Sequence, residues 1–378
     1  MAGTVAGSAT GRGSAAEVFR AFVPLGLTSF GGPVAHLGFF RTAFVERRRW
    51  MSDAEYADLV ALCQFLPGPA SSQVGMAIGL RRAGHFGMLA AWTAFTLPSA
   101  LALAAFGLLL GAVGTTEAAG GILGLKAAAA AVVAHALLGM ARSLAATRAR
   151  ATIAALAAVA VILAPNPALM QLAVIAAGGI AGVALADAAP PDPGHADGVP
   201  VGRAVGLAAL ALFAAGLVVL PFLAPLAPPL DLLDRTYRAG ALVFGGGHVV
   251  LPLLQNEMAG MVSETEFLAG YGAAQAVPGP LFTFAAFLGA VAEPFGGVAG
   301  AAVALVGIFL PSALLVLGVM PFWDVLRRAT AVRRALAGAN AAVVGLLAAA
   351  FYDPVFTRGV PDATTLAIAI AAFVALRE

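Results

Sequence analysis

Apolar segments of helical length follow one another along almost the whole chain. They fall at about 18–40, 54–80, 86–111, 121–141, 151–164, 167–186, 204–223, 236–258, 264–291, 296–320, 331–352 and 363–376. A helix needs about 20 residues to cross the hydrocarbon of a bilayer. No single water-excluded core can hide so many apolar faces. Only 11% of the residues are charged, against about 25% in a soluble domain, while 61% are hydrophobic and the mean hydropathy is +0.94. Lipid must therefore be the solvent for much of the surface. The expected fold is all-α, a polytopic membrane protein with about 10–13 transmembrane helices. The segments at 151–164 and 363–376 are short, and are expected to tilt little or to thin the bilayer.

Composition excludes several functions. A net charge of +2 on 37.6 kDa leaves no basic face for a nucleic acid. The lone Cys63 permits neither an intrachain disulfide nor a cysteine metal cluster. The five histidines show no HxH or HxxxH spacing, so no metal site is expected. No nucleophile–base pair stands at helical spacing either. An enzyme is not expected, and no cofactor is called for. Residues 1–16 (Gly, Ala, Ser and Thr with few others) read as a disordered tail, and 187–203 as a linker. Pro165-Asn166-Pro167 marks a hairpin turn, and the four prolines from Pro221 to Pro229 a second loop.

The chain repeats itself. Phe30-Gly31-Gly32 returns as Phe244-Gly245-Gly246, and Ser52-Asp53-Ala54-Glu55-Tyr56 as Ser263-Glu264-Thr265-Glu266-Phe267. Gln64-Phe65-Leu66-Pro67-Gly68-Pro69 returns as Gln275-Ala276-Val277-Pro278-Gly279-Pro280. Gly84 and Gly87 match Gly297 and Gly300, and Leu97-Pro98-Ser99-Ala100 matches Leu310-Pro311-Ser312-Ala313. Five features in one order define two units, with repeated cores at about 18–141 and 235–352. The corresponding divisions are an N-terminal unit at 17–186, a connecting stretch at 187–234 with one transmembrane helix, and a C-terminal unit at 235–378. If all twelve segments cross, seven crossings separate the repeat starts, and an odd number inverts the second copy. Inverted repeats recur in secondary transporters, with the substrate at their interface. Counting arginines in the loops favours a cytoplasmic N-terminus. Arg47-Arg48-Arg49 disagrees, because that reading puts them outside; a re-entrant proline segment would change the parity.

Both proline-broken segments begin with an S-x-x-E capping box, Ser52 with Glu55 and Ser263 with Glu266. From Ser52 to Pro67 the helix rises roughly 21 Å, into the hydrocarbon but not across it. Pro67 and Pro69, like Pro278 and Pro280, remove helical hydrogen bonds. Backbone left open in lipid is tolerated only where protein or water satisfies it. A second helix starting after each break would point free N–H groups of 70–72 and 281–283 at an anion, helped by the hydroxyls of Ser71, Ser72 and Thr283. A lone proline kink would be structural only. Two at equivalent positions, each three residues after Gln64 or Gln275, point to a binding site. Phe30-Gly31-Gly32-Pro33 and Phe244-Gly245-Gly246-Gly247-His248 interrupt the first helix of each unit, either for close helix packing or to line the same cavity. Lys126 lies inside an apolar helix. It either supplies charge to an anion path or snorkels to the surface. His36, His135 and His248 are candidate proton carriers, with simple packing as the alternative.

The combined pattern F-G-G-P, S-D-A-E-Y, Q-F-L-P-G-P, R-R-A-G-H-F-G and L-P-S-A, with F-G-G-G-H-V-V-L-P and Q-A-V-P-G-P in the second copy, resembles the chromate ion transporter family in its two-domain form. The resemblance covers about 18–141 and 235–352. It implies a multi-pass protein of the bacterial inner membrane that exports chromate and confers chromate resistance. Sulfate or another oxyanion is the alternative substrate. Protons as coupling ion, the lipid bilayer and a second copy in a homodimer complete the expected partners. The N-terminal unit has Val34 where the C-terminal unit has His248, so a role for that histidine would belong to one half. Two half-helix termini offer about one positive charge in total, short of a chromate dianion, which is why Lys126 enters the candidate site.

Overall fold

The computed structural model describes residues 13–30, 32–113, 119–164, 167–185, 201–243, 250–326 and 329–376. The linker at 187–203 and the turn at Pro165-Asn166 lie mostly outside these residues, as do the first twelve residues of the N-terminal tail. Ser14 caps α1 (Ala15–Thr28), its hydroxyl accepting from the Glu17 N–H. After Ser29 the chain turns through Gly32, whose φ is +76°. It continues as α2 (Gly32–Arg41), which widens into a π-helical stretch, Thr42–Arg47. Phe22 of α1 stacks on Phe44 at 4.7 Å and meets Phe40 edge-on at 5.5 Å. α2 therefore comes back alongside α1. The glycine break, expected as an interruption within one span, is the tip of a helical hairpin.

The same happens at the first proline break. α3 (Asp53–Phe65) starts at the Ser52–Glu55 capping box and rises about 20 Å. The chain turns through 66–69 and enters α4 (Ala70–Val113). Arg81 then pairs with Glu55 at 2.8 Å, which places the far end of this return leg beside the start of α3. Pro67-Gly68-Pro69 is thus the tip of a re-entrant hairpin, not a kink in a continuous span. α4 itself is two helices: Ala83 and Gly84 leave the helical region, Gly84 with φ +67° and ψ −158°. In an unbroken helix Gly79 and Gly87 would stand about 12 Å apart. Here each lies against the other's carbonyl, with no room for a side chain. The chain reverses at 83–84, and only the second leg runs on across.

The second unit repeats the plan. α9 (Pro228–Ala241) and α10 (Val250–Glu257) form the first hairpin, tied at its open end by Arg238 to Glu257 at 3.0 Å and by Arg235 to the Glu257 carbonyl at 2.7 Å. Its tip, including Gly245, Gly246, Gly247 and His248, lies outside the described residues. α11 (Glu264–Ala276) begins at the Ser263–Glu266 capping box. After the second proline break, a 3-10 turn (Leu281–Thr283) leads into α12 (Phe284–Val291). The Glu293 N–H donates to the Met261 carbonyl at 2.9 Å, closing the open end of this hairpin. α13 (Gly297–Val319) then leaves, with Gly289 and Gly300 in the mutual contact that Gly79 and Gly87 make in the first unit.

Contacts between the units fix their relative direction. Gly279 lies against Ser99, and farther along, Phe287 stacks on Phe106 at 5.5 Å and Ala290 packs on Gly107. The chain from 279 to 290 therefore runs parallel to the second leg of α4. α13 is antiparallel to α12, since Gly289 meets Gly300 while Phe282 meets Phe309 at 6.1 Å. α13 is thus antiparallel to the second leg of α4, its counterpart in the first unit. The two units are inverted. Between them lie the second leg of α4, α5 (Ala119–Leu144), α6 (Arg148–Ile162), α7 (Pro167–Leu185) and α8 (Arg203–Leu223), again an odd number. α14 (Thr330–Ala350) packs on α6 and α7 through Gly345, Gly338, Gly178 and Gly182, and α15 (Ala363–Ala375) packs on α5.

Among the described residues, five helices are long and apolar enough to cross a membrane: Ala70–Leu110, Leu123–Arg142, Arg203–Leu226, Gly297–Phe322 and Thr330–Asp353. Three shorter apolar helices accompany them. α8 shows why lipid must surround the bundle, with Leu207, Leu212, Val218 and Phe222 all exposed. Inside, Phe22, Phe40, Phe44, Phe95, Phe282, Phe284, Phe287 and Phe309 are fully buried. The hairpins also remove the anomaly at Arg47-Arg48-Arg49. These residues lie at the open end of the first unit's hairpins, together with Arg81 and Arg82: Arg82 pairs with Glu17 at 2.9 Å and its guanidinium sits over Trp50. Trp323, just past α13, donates to Asp58 at 3.0 Å, which brings the start of α14 with Arg333 and Arg334 to this same end.

Single cysteines at Arg48 and Glu264, in a Cys63→Ala background, should label from opposite faces of sealed vesicles with a membrane-impermeant maleimide. Labelling of both from one face would contradict the inverted arrangement.

Candidate functional site

The proline–glycine–proline tips do not close on their own units. The Gly68 N–H donates to the Val243 carbonyl at 2.7 Å, and the Gly279 N–H donates to the Ser29 carbonyl at 2.9 Å. Val243 and Ser29 are equivalent positions, each just before the glycine tip of its unit's first hairpin. The tip of each second hairpin therefore rests on the residue that leads into the tip of the other unit's first hairpin, and the contact is made twice. Both glycines have positive φ, +119° at Gly68 and +101° at Gly279, where an L side chain is strained. Both also face a serine of the other unit. A methyl at Gly68 would collide with the Ser312 hydroxyl, and one at Gly279 would lie 2.8 Å from the Ser99 hydroxyl. Leu97-Pro98-Ser99 and Leu310-Pro311-Ser312 thus form the floor under each other's tips.

Among the described residues polar groups gather here although charge does not. The first intrahelical bond after the first tip is Gln73 N–H to the Pro69 carbonyl at 2.9 Å, so the N–H groups of Ala70, Ser71 and Ser72 precede it. His36, buried, bridges the two tips of the first unit: Nε2 is 3.1 Å from the Ser29 carbonyl and Nδ1 3.3 Å from Ser71 Oγ. Since a carbonyl only accepts, Nε2 carries the hydrogen and the Ser71 hydroxyl donates to Nδ1. Ser29 Oγ, Ser72 Oγ, Gln73 Oε1, Thr96 Oγ1, Gln275 Nε2 and Ser312 Oγ are all buried without a protein partner. Buried polar atoms ordinarily have one. Six such atoms around two touching tips mark a place prepared for a polar ligand or water.

The candidate residues from the sequence divide. Gly68 and Gly279 are at the contact, flanked by Pro67, Pro69, Pro278 and Pro280, with Ser71 and Ser72 beside them. Thr283 is near, but its hydroxyl donates to the Pro280 carbonyl at 2.7 Å and caps its own turn. The two glutamines are unequal: Gln64 is exposed, whereas the Gln275 Nε2 is buried without a partner. Gly32 bends the first tip; Gly31 lies outside the described residues. Lys126 is not brought to the tips. The Leu125 carbonyl packs against Gly272 of α11, while the Lys126 ammonium reaches Thr265 at 3.3 Å, about 10 Å nearer the open end of that hairpin. This is the geometry of snorkelling. His135 meets Phe373, away from the tips. Sequence reasoning passed over Ser29, Gln73, Thr96 and Ser312. The duplicated L-P-S motif was the available signal for Ser312, and Ser29 adjoins the duplicated F-G-G. Among the described residues no three His, Cys, Asp or Glu side chains cluster as a metal site.

Comparison with known proteins is consistent across the chain. The family model described as chromate transporter matches residues 16–183 and 230–378, one segment for each unit. A chromate transport protein of Pseudomonas aeruginosa is 30% identical over 364 residues, covering 89% of this chain and 80% of that protein. One from Cupriavidus metallidurans is 28% identical, covering 87% and 80%. An uncharacterised transporter of Methanocaldococcus jannaschii is 25% identical, covering 89% and 83%. No solved structure matches the chain.

Gly68→Ala and Gly279→Ala should each destabilise the protein, by about 1–2 kcal/mol for the left-handed backbone alone and more for the serine contact. Gly38→Ala, with open space around it, should not. Thermal unfolding in detergent checks this; equal melting temperatures for all three variants would show that the tips are not constrained as described.

Proposed function

Because the chain belongs to the chromate transporter family and is a membrane transporter, we propose that it exports chromate across the bacterial inner membrane by secondary active transport, with protons entering in exchange. One observation carries the reading: two inverted hairpin pairs meet tip to tip at a buried set of unpartnered polar atoms. Broken helices at the interface of inverted repeats are where secondary transporters bind small ions. Re-entrant hairpins approaching from opposite ends can open to either side in turn while the other stays closed.

The arginine-rich open end of the first unit faces the cytoplasm on the positive-inside rule. With the cytoplasm about 100 mV negative, each negative charge that leaves is favoured by about 2.3 kcal/mol, so the membrane potential drives export. Entering protons add to that drive. Sulfate shares the shape and charge of chromate and is the competing substrate reading.

Radiolabelled chromate and sulfate uptake into inverted membrane vesicles, with and without an imposed proton gradient, tests this. Chromate accumulation that rises with the gradient is the expected outcome. Absence of chromate uptake with robust sulfate uptake would replace the substrate, and absence of both would end the transport reading.

A further inference from the structure

The polar atoms at the tips specify which form of the anion fits them. The Gln73 side chain is the informative group. It is fully buried, in the first turn after the first proline tip. Its Nε2 lies 2.6 Å from the Pro67 carbonyl. A carbonyl only accepts, so this contact fixes the orientation of the amide: the NH2 faces Pro67. Oε1 is thereby turned away, and it has no partner. An amide oxygen accepts hydrogen bonds and never donates them. The Ser72, Ser29, Thr96 and Ser312 hydroxyls, on the segments that form the two tips and their floor, also lack partners, and each of these can donate. Ser312 and Gln73 both flank Gly68, the first meeting the position of a would-be Cβ and the second lying 2.7 Å from it.

A fully deprotonated tetrahedral oxyanion offers only acceptors. Set against this site, it would satisfy the hydroxyls and leave Gln73 Oε1 facing an anion oxygen. Two acceptors in contact, buried, repel and lose their solvation. An oxyanion that keeps one proton satisfies both kinds of group: its O–H donates to Gln73 Oε1, and its remaining oxygens accept from the hydroxyls and from the N–H groups at the start of α4. It also carries one charge instead of two, which matches a site with no formally charged side chain among the described residues. We propose that Gln73 selects the singly protonated oxyanion, hydrogen chromate, over the dianion. This rests on the transport reading above and deepens it. Hydrogen chromate is a sizeable fraction of chromate near neutral pH, whereas sulfate and selenate are deprotonated except in strong acid. The same oxygen therefore separates chromate from sulfate, a distinction that shape cannot make.

The pH dependence needs its neighbours named. His36 of α2 touches Ser71, two residues before Gln73. On α3, Tyr56 donates to the Leu37 carbonyl beside His36, and Cys63 is buried. From α13 the approaching group is Ser312, which does not titrate in this range. Among the described residues His36 is thus the one imidazole beside the site, and the test must separate it from the substrate.

The test uses the full-length protein in inverted vesicles, with equal pH on both faces. The half-saturating total chromate should rise about tenfold per pH unit above neutrality, because only the protonated fraction binds. His36→Gln should keep that slope. At a fixed neutral pH, selenate, of the same shape but without a protonated form, should compete poorly with chromate. Gln73→Met, of similar length but lacking the amide, should raise the chromate half-saturation and narrow the gap between chromate and selenate. A pH-independent half-saturation, or selenate competing as well as chromate in the wild type, would overturn the proposal while leaving chromate transport intact. Wild-type behaviour in Gln73→Met would overturn the role of Gln73. No chromate uptake at any pH would remove the transport reading and this one together.

Discussion

Two backbone hydrogen bonds, Gly68 N–H to the Val243 carbonyl and Gly279 N–H to the Ser29 carbonyl, join the units at the centre of the molecule. Each proline tip lacks the donors that would let it continue as helix, and each first hairpin ends in a carbonyl that its own helix does not use. In hydrocarbon such groups cost several kcal/mol apiece when open. His36 of the same unit also donates to the Ser29 carbonyl, but the Gly68 and Gly279 N–H groups find their acceptors in the other unit. Placing the two copies in opposite directions satisfies both at once, and the serines of the L-P-S segments fill the remaining space. The inverted arrangement, the glycines at positive φ and the close approach of α12 to α4 all follow from that pairing.

Much of this was legible in the sequence. The repeat, the capping boxes at Ser52 and Ser263, and the membrane class came from residue pattern alone, because each rests on local chemistry. The hairpins were not legible. Hydropathy over 54–80 reads the same whether the chain crosses or turns back, and only the Glu55–Arg81 and Met261–Glu293 contacts show the return. The reversal at Gly84 was hidden for the same reason: a glycine inside an apolar run reads as helix packing until its φ is known. Lys126 misled because sequence places its Cα in the membrane but says nothing of where four methylenes carry the ammonium. Gln73 was passed over because its importance lies in which end of its amide is already occupied, a fact that Pro67 decides.

The units are symmetric in backbone and unequal in chemistry. Ser71-Ser72-Gln73 follows the first tip, where Leu281-Phe282-Thr283-Phe284 follows the second. The second return leg is short and aromatic, and Phe282, Phe284 and Phe287 pack it into the core. The first carries the polar atoms and is held by His36. Duplication supplied the opposed scaffold; divergence put four of the six unpartnered polar atoms, those of Ser29, Ser72, Gln73 and Thr96, in the first unit. The apolar half then serves as a wall that excludes water from the polar half, where neutral hydrogen bonds gain strength.

Disulfide formation between paired cysteines measures the tip-to-tip contact directly. In a Cys63→Ala background, Gly68→Cys with Ser312→Cys and Gly279→Cys with Ser99→Cys both bring sulfur atoms together across the units. Both pairs should cross-link within the folded protein in membranes, and reduction should restore whatever transport the cross-link arrests. Failure of both pairs, with cysteines that still label when the protein is unfolded, would contradict the reciprocal contact on which the whole architecture depends.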